Sequence, residues 1–286
     1  MVFLIRFTLA FALLASLSAC SSLSGFLFFP HEGHYQTPEG LGVDYKTIHL
    51  DSEGFQLENW LLLPKEHVAP KGTVLYLHGN GENISTHMNS VAWLTLEGYK
   101  VFLLDYRGYG NSEGASTLRS ALYDVFQAHL WLSKHEETPL FLFGQSMGGA
   151  LAITYSANIN ELEKSELAPI RALITESSPA DWPQVAREAM RNHWLTWLVQ
   201  IPASFIESKY NPEDHIGQLA GLPILLMHSK QDPIVRYAHL EQLLTAADKA
   251  GVHIETYQTL GGHTQGLAYE QARKRFIEFI QNVEPK

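Results

Sequence analysis

Apolar residues along this chain fall into short dense runs closed by glycine or polar turns, and several runs are separated by longer stretches with helical spacing. Tyr45–Leu50 and Gln56–Leu63 are strand-like, with the turn Asp51–Gly54 between them. Thr73–Leu77, Lys100–Leu104, Leu140–Phe143, Arg171–Thr175, Leu222–Met227 and Val252–Thr259 predict further strands. Helices are predicted over the stretch holding Val91–Leu96, over Thr117–His135, from Gly149 onward and over Tyr269–Asn282. In the last of these Phe276, Ile277 and Ile280 form the inner face. Strands alternating with helices imply an α/β fold with a mostly parallel sheet covered on both faces. Ser177–Leu219 breaks this rhythm. It contains tryptophan and proline and lies between two core strands, so it is read as an inserted cap, not a separate domain.

The N-terminus has a different pattern. Met1–Ala19 is almost wholly apolar or small, with one cation, Arg6, and reads as a signal segment. It runs into Leu17-Ser18-Ala19-Cys20, which resembles the lipobox of bacterial lipoproteins. That resemblance implies cleavage before Cys20, a diacylglyceryl thioether on its sulfur and an acyl chain such as palmitate on its amine. Two or more chains give stable anchoring. Residues 20–25 would then be a tether, and Ser21 after the cysteine is similar to the pattern sorted to an outer membrane. The other reading is an uncleaved anchor or an ordinary secretory signal.

Composition narrows the classes. The 286 residues are 45% hydrophobic and 17% charged, enough to bury a sizeable core. Mean hydropathy is −0.08, too low for a polytopic membrane protein. The formal charge is −10, and no basic run appears, so nucleic acid is not an expected partner. Cys20 is the single cysteine, which excludes an intramolecular disulfide framework and a thiolate metal cluster.

The chemistry gathers at Gly144-Gln145-Ser146-Met147-Gly148, directly after an apolar run and before a small-residue helix. This G-x-S-x-G pattern suits a nucleophile elbow, where a serine sits on a strained strand-to-helix turn and its neighbours must lack bulk. A serine hydroxyl needs a base and an orienting acid. Asp232 follows the Leu222–Met227 run and His263 follows the Val252–Thr259 run, giving the chain order Ser, Asp, His expected at such an elbow. Glu176, at the end of Arg171–Thr175, is the rival acid. Asp105 is read as structural, and His228 as packing or bonding beneath the site. Two N–H donors are expected for an oxyanion: Met147, after the nucleophile, and Asn80, in the loop His78–Asn83. His31 and His34, three apart, lack further ligands nearby and make a poor metal site, so no metal is expected.

Taken in order, His78-Gly79-Asn80-Gly81-Glu82-Asn83, the stretch Asp105–Gly114 (DYRGYGNSEG), Gly144–Gly149, Asp232 and Gly262-His263 resemble the α/β-hydrolase superfamily over residues 26–286. They are similar to its small, minimally capped branch, related to bud-emergence serine hydrolases, monoacylglycerol lipases and serine aminopeptidases. The resemblance implies Ser146 as nucleophile, His263 as base and then acid, Asp232 as orienter, a two-step acyl transfer, no cofactor, and activity lost in acid once the base carries a proton. A carboxylic ester or thioester, including a lipid, as substrate of a membrane-anchored, cell-envelope enzyme is the leading expectation. A peptidase or amidase, and a non-catalytic binding protein, remain open. The cap's apolar residues, among them Trp182, Met190, Trp194, Trp197 and Ile201, read either as an acyl pocket or lid, or as a helix pair packing its own core.

Overall fold

A computed structural model of the chain describes residues 27–159, 166–190 and 208–283. The signal segment, Cys20, the tether at 20–25 and the cap residues Trp194, Trp197 and Ile201 lie outside the described residues. Eight strands form one sheet: β1 (Tyr45–Ser52), β2 (Phe55–Leu62), β3 (Gly72–Leu77), β4 (Tyr99–Leu104), β5 (Leu140–Gln145), β6 (Ile170–Glu176), β7 (Ile224–Ser229) and β8 (Glu255–Thr259). Their order is β1-β2-β4-β3-β5-β6-β7-β8, parallel from β4 to β8, with β1 and β2 antiparallel at one edge. This is the α/β-hydrolase architecture.

The longer helices are α1 (Leu118–His135), α2 (Met147–Asn158), α3 (Trp182–Met190), α4 (Ala238–Lys249) and α5 (Glu270–Gln281). The strands alternate side chains between two apolar layers. Leu75, Leu77, Phe102, Leu142 and Leu226 pack with α1, α2 and α4, while Val74, Tyr76, Phe143 and Met227 pack with Trp93 and Phe276 on the other face. All six residues of β3 are buried, as a central parallel strand requires.

Element ends shift by a residue or two from the sequence reading at several places, and three differences stand out. The Val91–Leu96 stretch holds only a 3₁₀ turn, Ala92–Thr95. β7 starts at Ile224, two residues later than expected, because Leu222 and Pro223 still belong to the turn entering it. β8 starts at Glu255 and not at Val252. Gly251, at φ 70°, ends α4 in the left-handed region, and the Val252 N–H turns back to the Ala247 carbonyl at 2.9 Å. Within the insertion, Trp182 is buried in the main core and its indole N–H donates to the Tyr210 carbonyl at 2.9 Å. The Thr154 hydroxyl of α2 donates to the same carbonyl at 2.9 Å, so both ends of the insertion are seated on the body of the fold.

Topology sets the position of the site. Parallel strands end along one edge of the sheet, so the loops after β3, β5, β6, β7 and β8 meet there, with β5 near the middle. The Asp105–Gly114 loop after β4 joins them and is fixed from below. Arg107 grips the buried Asp124 of α1 through Nε at 3.0 Å and Nη2 at 2.7 Å, and Ser52 Oγ donates to the same carboxylate at 2.6 Å. The D-Y-R-G stretch is thus a structural fastening between the hairpin, the loop and α1.

Candidate active site

Ser146 joins β5 to α2 at φ 54° and ψ −119°, a region that non-glycine residues rarely adopt. The glycines around it are required by contact. A Cβ on Gly144 would lie 2.2 Å from the Gly148 carbonyl oxygen, and one on Gly148 would lie 2.0 Å from the Leu77 carbonyl oxygen. The turn closes only because both side chains are absent, and it lifts the serine clear of the sheet edge.

Three loops then converge. His263, after β8, places Nε2 2.8 Å from Ser146 Oγ. Its Nδ1 lies 2.8 Å from Oδ2 of Asp232, in the loop after β7. The other carboxylate oxygen, Oδ1, accepts the N–H groups of Ile234 at 2.9 Å and Val235 at 3.0 Å. Burial works to raise the Asp232 carboxyl. The His263 hydrogen bond and charge, the Ile234 N–H and the Ser177 hydroxyl more than offset it, and the group is held below the usual carboxylate range. Asp232 therefore stays an acceptor and fixes which imidazole nitrogen faces the serine.

His228 lies beneath this pair. Its Nε2 donates to the Val235 carbonyl at 2.9 Å, and burial pushes its imidazole down. It braces the acid loop. Glu176, the rival acid, makes no bond to His263. Its carboxylate is taken by Gln145 at 2.6 Å and by the Gly266 N–H at 2.7 Å.

On the other side, the loop after β3 runs against Ser146, and a Cβ on Gly79 would sit 3.3 Å from the serine Cβ. Met147 opens α2, so its N–H has no acceptor within the helix. Among the described residues no main-chain carbonyl takes the Asn80 N–H. The Asn80 side chain is held by four hydrogen bonds. Oδ1 accepts the Phe29 N–H at 2.8 Å, the Gly81 N–H at 2.9 Å and the Tyr109 hydroxyl at 3.0 Å, and Nδ2 donates to the Leu27 carbonyl. His87, packed under the loop, donates Nε2–H to the Gly81 carbonyl at 3.1 Å. Burial and the neighbouring His78 push its imidazole down to about 4, so it is neutral near pH 7.

Sequence reasoning missed what fastens this loop. Residues 27–36 form a strap across it. Asn83 Nδ2 donates to the carbonyls of His31 at 3.0 Å and Gly33 at 2.6 Å, and the Tyr35 N–H donates to Ser85 Oγ at 3.0 Å. Main-chain bonds also join the strap to the loop after β4, from Gly33 N–H to Gly110 at 2.9 Å and from Gly110 N–H to His31 at 3.0 Å. The sequence signals in this segment are the Phe26–Pro30 run, similar to the front end of the family branch, and the His31–His34 spacing. The spacing marks polar anchoring, with His34 tilted on Trp60 and near Asp105. Among the described residues no cluster of three His, Cys, Asp or Glu side chains could hold a metal ion.

The arrangement can activate a hydroxyl and orient an imidazole, with main-chain donors facing the same edge. Comparison with known proteins shows what the chain as a whole is similar to. A family model described as serine aminopeptidase, S33, matches residues 68–216, just over half of the chain. The uncharacterized protein YfhR of Escherichia coli K12 is 27% identical over 244 residues, covering 80% of this chain and 77% of that protein. The lysophosphatidylserine lipase ABHD12 of Rattus norvegicus is 28% identical over 184 residues, 60% of this chain and 44% of that one. Among solved structures, the Pyrococcus furiosus esterase Pf2001 superposes with a TM-score of 0.74 at 20% identity, over 91% of this chain and 99% of that one.

Proposed function

The chain belongs to the serine aminopeptidase S33 family of α/β-hydrolases, and from that premise we propose that it cleaves carboxylic esters by a Ser146–His263–Asp232 acyl-enzyme mechanism. The observation that carries this reading is the pair of 2.8 Å contacts linking Ser146 to His263 and His263 to Asp232. In it, Nε2 of His263 takes the Ser146 proton as Oγ attacks the carbonyl carbon. Asp232 stabilises the imidazolium that results. The oxyanion is received by the N–H groups of Asn80 and Met147. His263 then hands its proton to the leaving alcohol, and water attacks the acyl-serine by the same route in reverse.

An ester, including a lipid ester, is favoured over a peptide by the names of an esterase and a lipase among the similar proteins. In the same reading, Cys20 carries a lipid anchor that holds the enzyme at the cell envelope, the outer membrane first, with residues 1–19 removed as the signal and 177–219 serving as the cap.

A fluorophosphonate probe tests the chemistry on the full chain purified in detergent. Wild type labels, Ser146→Ala does not, and His263→Ala labels far more slowly. A folded wild type that takes no label rejects the serine-hydrolase reading. Labelling that persists in Ser146→Ala rejects the assignment of the nucleophile.

A further inference from the structure

Glu176 ends β6 beside the nucleophile, and its own carbonyl accepts the Ser146 N–H at 2.8 Å. Its side chain is completely buried, yet the carboxylate bonds to neither Ser146 nor His263. Oε2 accepts the Gln145 amide N–H at 2.6 Å, and Oε1 accepts the Gly266 main-chain N–H at 2.7 Å. Gln145 immediately precedes the nucleophile, and Gly266 lies three residues past His263. One carboxylate therefore spans the two stretches of chain whose side chains must meet.

Both ends of this bridge are themselves fixed. Gln145 Oε1 accepts the Tyr76 hydroxyl at 2.5 Å and the Ser90 hydroxyl at 2.9 Å, which leaves its amide N–H directed at Glu176. At the other end the chain packs flat on the carboxylate. A Cβ on Gly266 would lie 2.5 Å from Glu176 Oε1 and 2.5 Å from Thr259 Cγ2. Burial pushes the Glu176 carboxyl up, against the two hydrogen bonds and the nearby His263, so the group is kept at a cost in solvation. Both partners are donors, and a carboxylate is the side chain that offers an acceptor to each.

We propose that Glu176 is a positioning residue for the reaction, a staple that sets the His263 loop at its working distance from the Ser146 elbow. This rests on the reading of Ser146 and His263 as the reacting pair. It gives the rival acid of the sequence reading a different part, holding the histidine's loop while Asp232 orients its ring.

The test uses the full chain and a p-nitrophenyl ester. Glu176→Gln is nearly isosteric but must turn an N–H toward one of two donors. It is expected to lower kcat by about 10- to 100-fold with little change in KM, the effect of a small misplacement of a catalytic group. Gln145→Glu should fall similarly, because two carboxylates then face each other. The reciprocal double variant, Q145E/E176Q, restores every bond. The amide introduced at position 176 offers its oxygen to Gly266 and its N–H to the carboxylate introduced at position 145, whose other oxygen takes the two hydroxyls. This variant is expected to recover most of kcat. Wild-type kcat in Glu176→Gln overturns the proposal, and so does a folded double variant as slow as the singles.

Should wild type hydrolyse no ester and take no phosphonate, the functional reading has failed, and the staple is read by amide hydrogen exchange over 261–268. Faster exchange in Glu176→Gln, restored in the double variant, supports it. Unchanged exchange overturns it.

Discussion

The Asp232–His263 side of the site and the Asn80 side lie at the same sheet edge, yet different parts of the chain fasten them. The first is held by neighbours in the sheet. β7 and β8 deliver the two loops, Ser229 Oγ donates to the Gly261 carbonyl at 2.5 Å, and Glu176 of β6 takes Gly266. The second is held by residues more than fifty positions away, Leu27 and Phe29, in a segment that precedes β1 and belongs to none of the eight strands or the longer helices. The imidazole is positioned by its sheet neighbours, through strand register together with the Glu176 bridge, whereas the Asn80 loop depends on an extended strap staying docked. The two sides of the site therefore have separate points of failure.

Several variants sharpen that contrast. Gly148→Ala should do the most, because it strikes the hinge common to both sides. Its Cβ meets the Leu77 carbonyl at 2.0 Å, so the elbow must shift. Fluorophosphonate labelling is expected to vanish, and urea denaturation should show a loss of roughly 1–3 kcal/mol, the usual cost of overpacking. Asn80→Ala comes next. It keeps the main-chain N–H but removes four side-chain bonds, which reach the strap, Gly81 and Tyr109. We expect kcat to drop by about 10- to 100-fold, short of the full loss of an oxyanion donor. Hydrogen exchange should rise over 27–36 and stay unchanged over 261–268. Faster exchange in both segments would show that the two sides are coupled after all.

Ser177→Ala touches only the acid side, where the hydroxyl supports Asp232 and, at 3.5 Å, the Thr264 N–H. A fall of a few-fold in kcat with KM unchanged is expected, comparable to removing about 1 kcal/mol of hydrogen bonding.

The smallest effect separates the two buried carboxylates by pH. Asp232 is held low, so its contribution to stability is present above the ordinary carboxylate range and is lost as pH falls through its lowered value. Glu176 is pushed up, so its contribution has the opposite sign. It is fully present below the ordinary range and is lost as pH rises through its raised value. Urea melts of Asp232→Asn between about pH 3 and 7, the window around the ordinary carboxylate value of about 4, should lose part of the wild-type decline in acid. An identical decline would mean that the acid limb belongs to other groups.

How far the sequence announced all this follows the same division. The apolar runs at Thr73–Leu77 and Leu140–Phe143 and the glycines around Ser146 are constrained by local geometry, and local geometry leaves a short-range signature. Asp232 and His263 were legible because each follows a strand-like run in the order such an elbow requires. The bridge through Gln145 and Glu176 was hidden. Gln145 occupies a free position of the G-x-S-x-G pattern, and a glutamate at a strand end looks the same whether it orients a histidine or fastens its loop. The strap was hidden more thoroughly. On its own side the bonds run largely through main-chain groups of Leu27, Phe29, His31 and Gly33, which any residue supplies, and the partners Asn80 and Asn83 belong to a loop motif that does not reveal what their side chains hold.

If Cys20 carries the proposed lipid, the strap would also act as a leash of limited length. Six residues separate Cys20 from Leu27, a span of seven residue steps, and the Leu27 carbonyl is held by Asn80. At no more than about 3.5 Å per extended residue, that span cannot exceed roughly 25 Å. With the proposed lipid on Cys20, the oxyanion loop is confined to a thin layer above the bilayer. The enzyme would then meet its substrate as a surface density of molecules in or beside that membrane, and dilution of the surrounding medium would scarcely alter its rate.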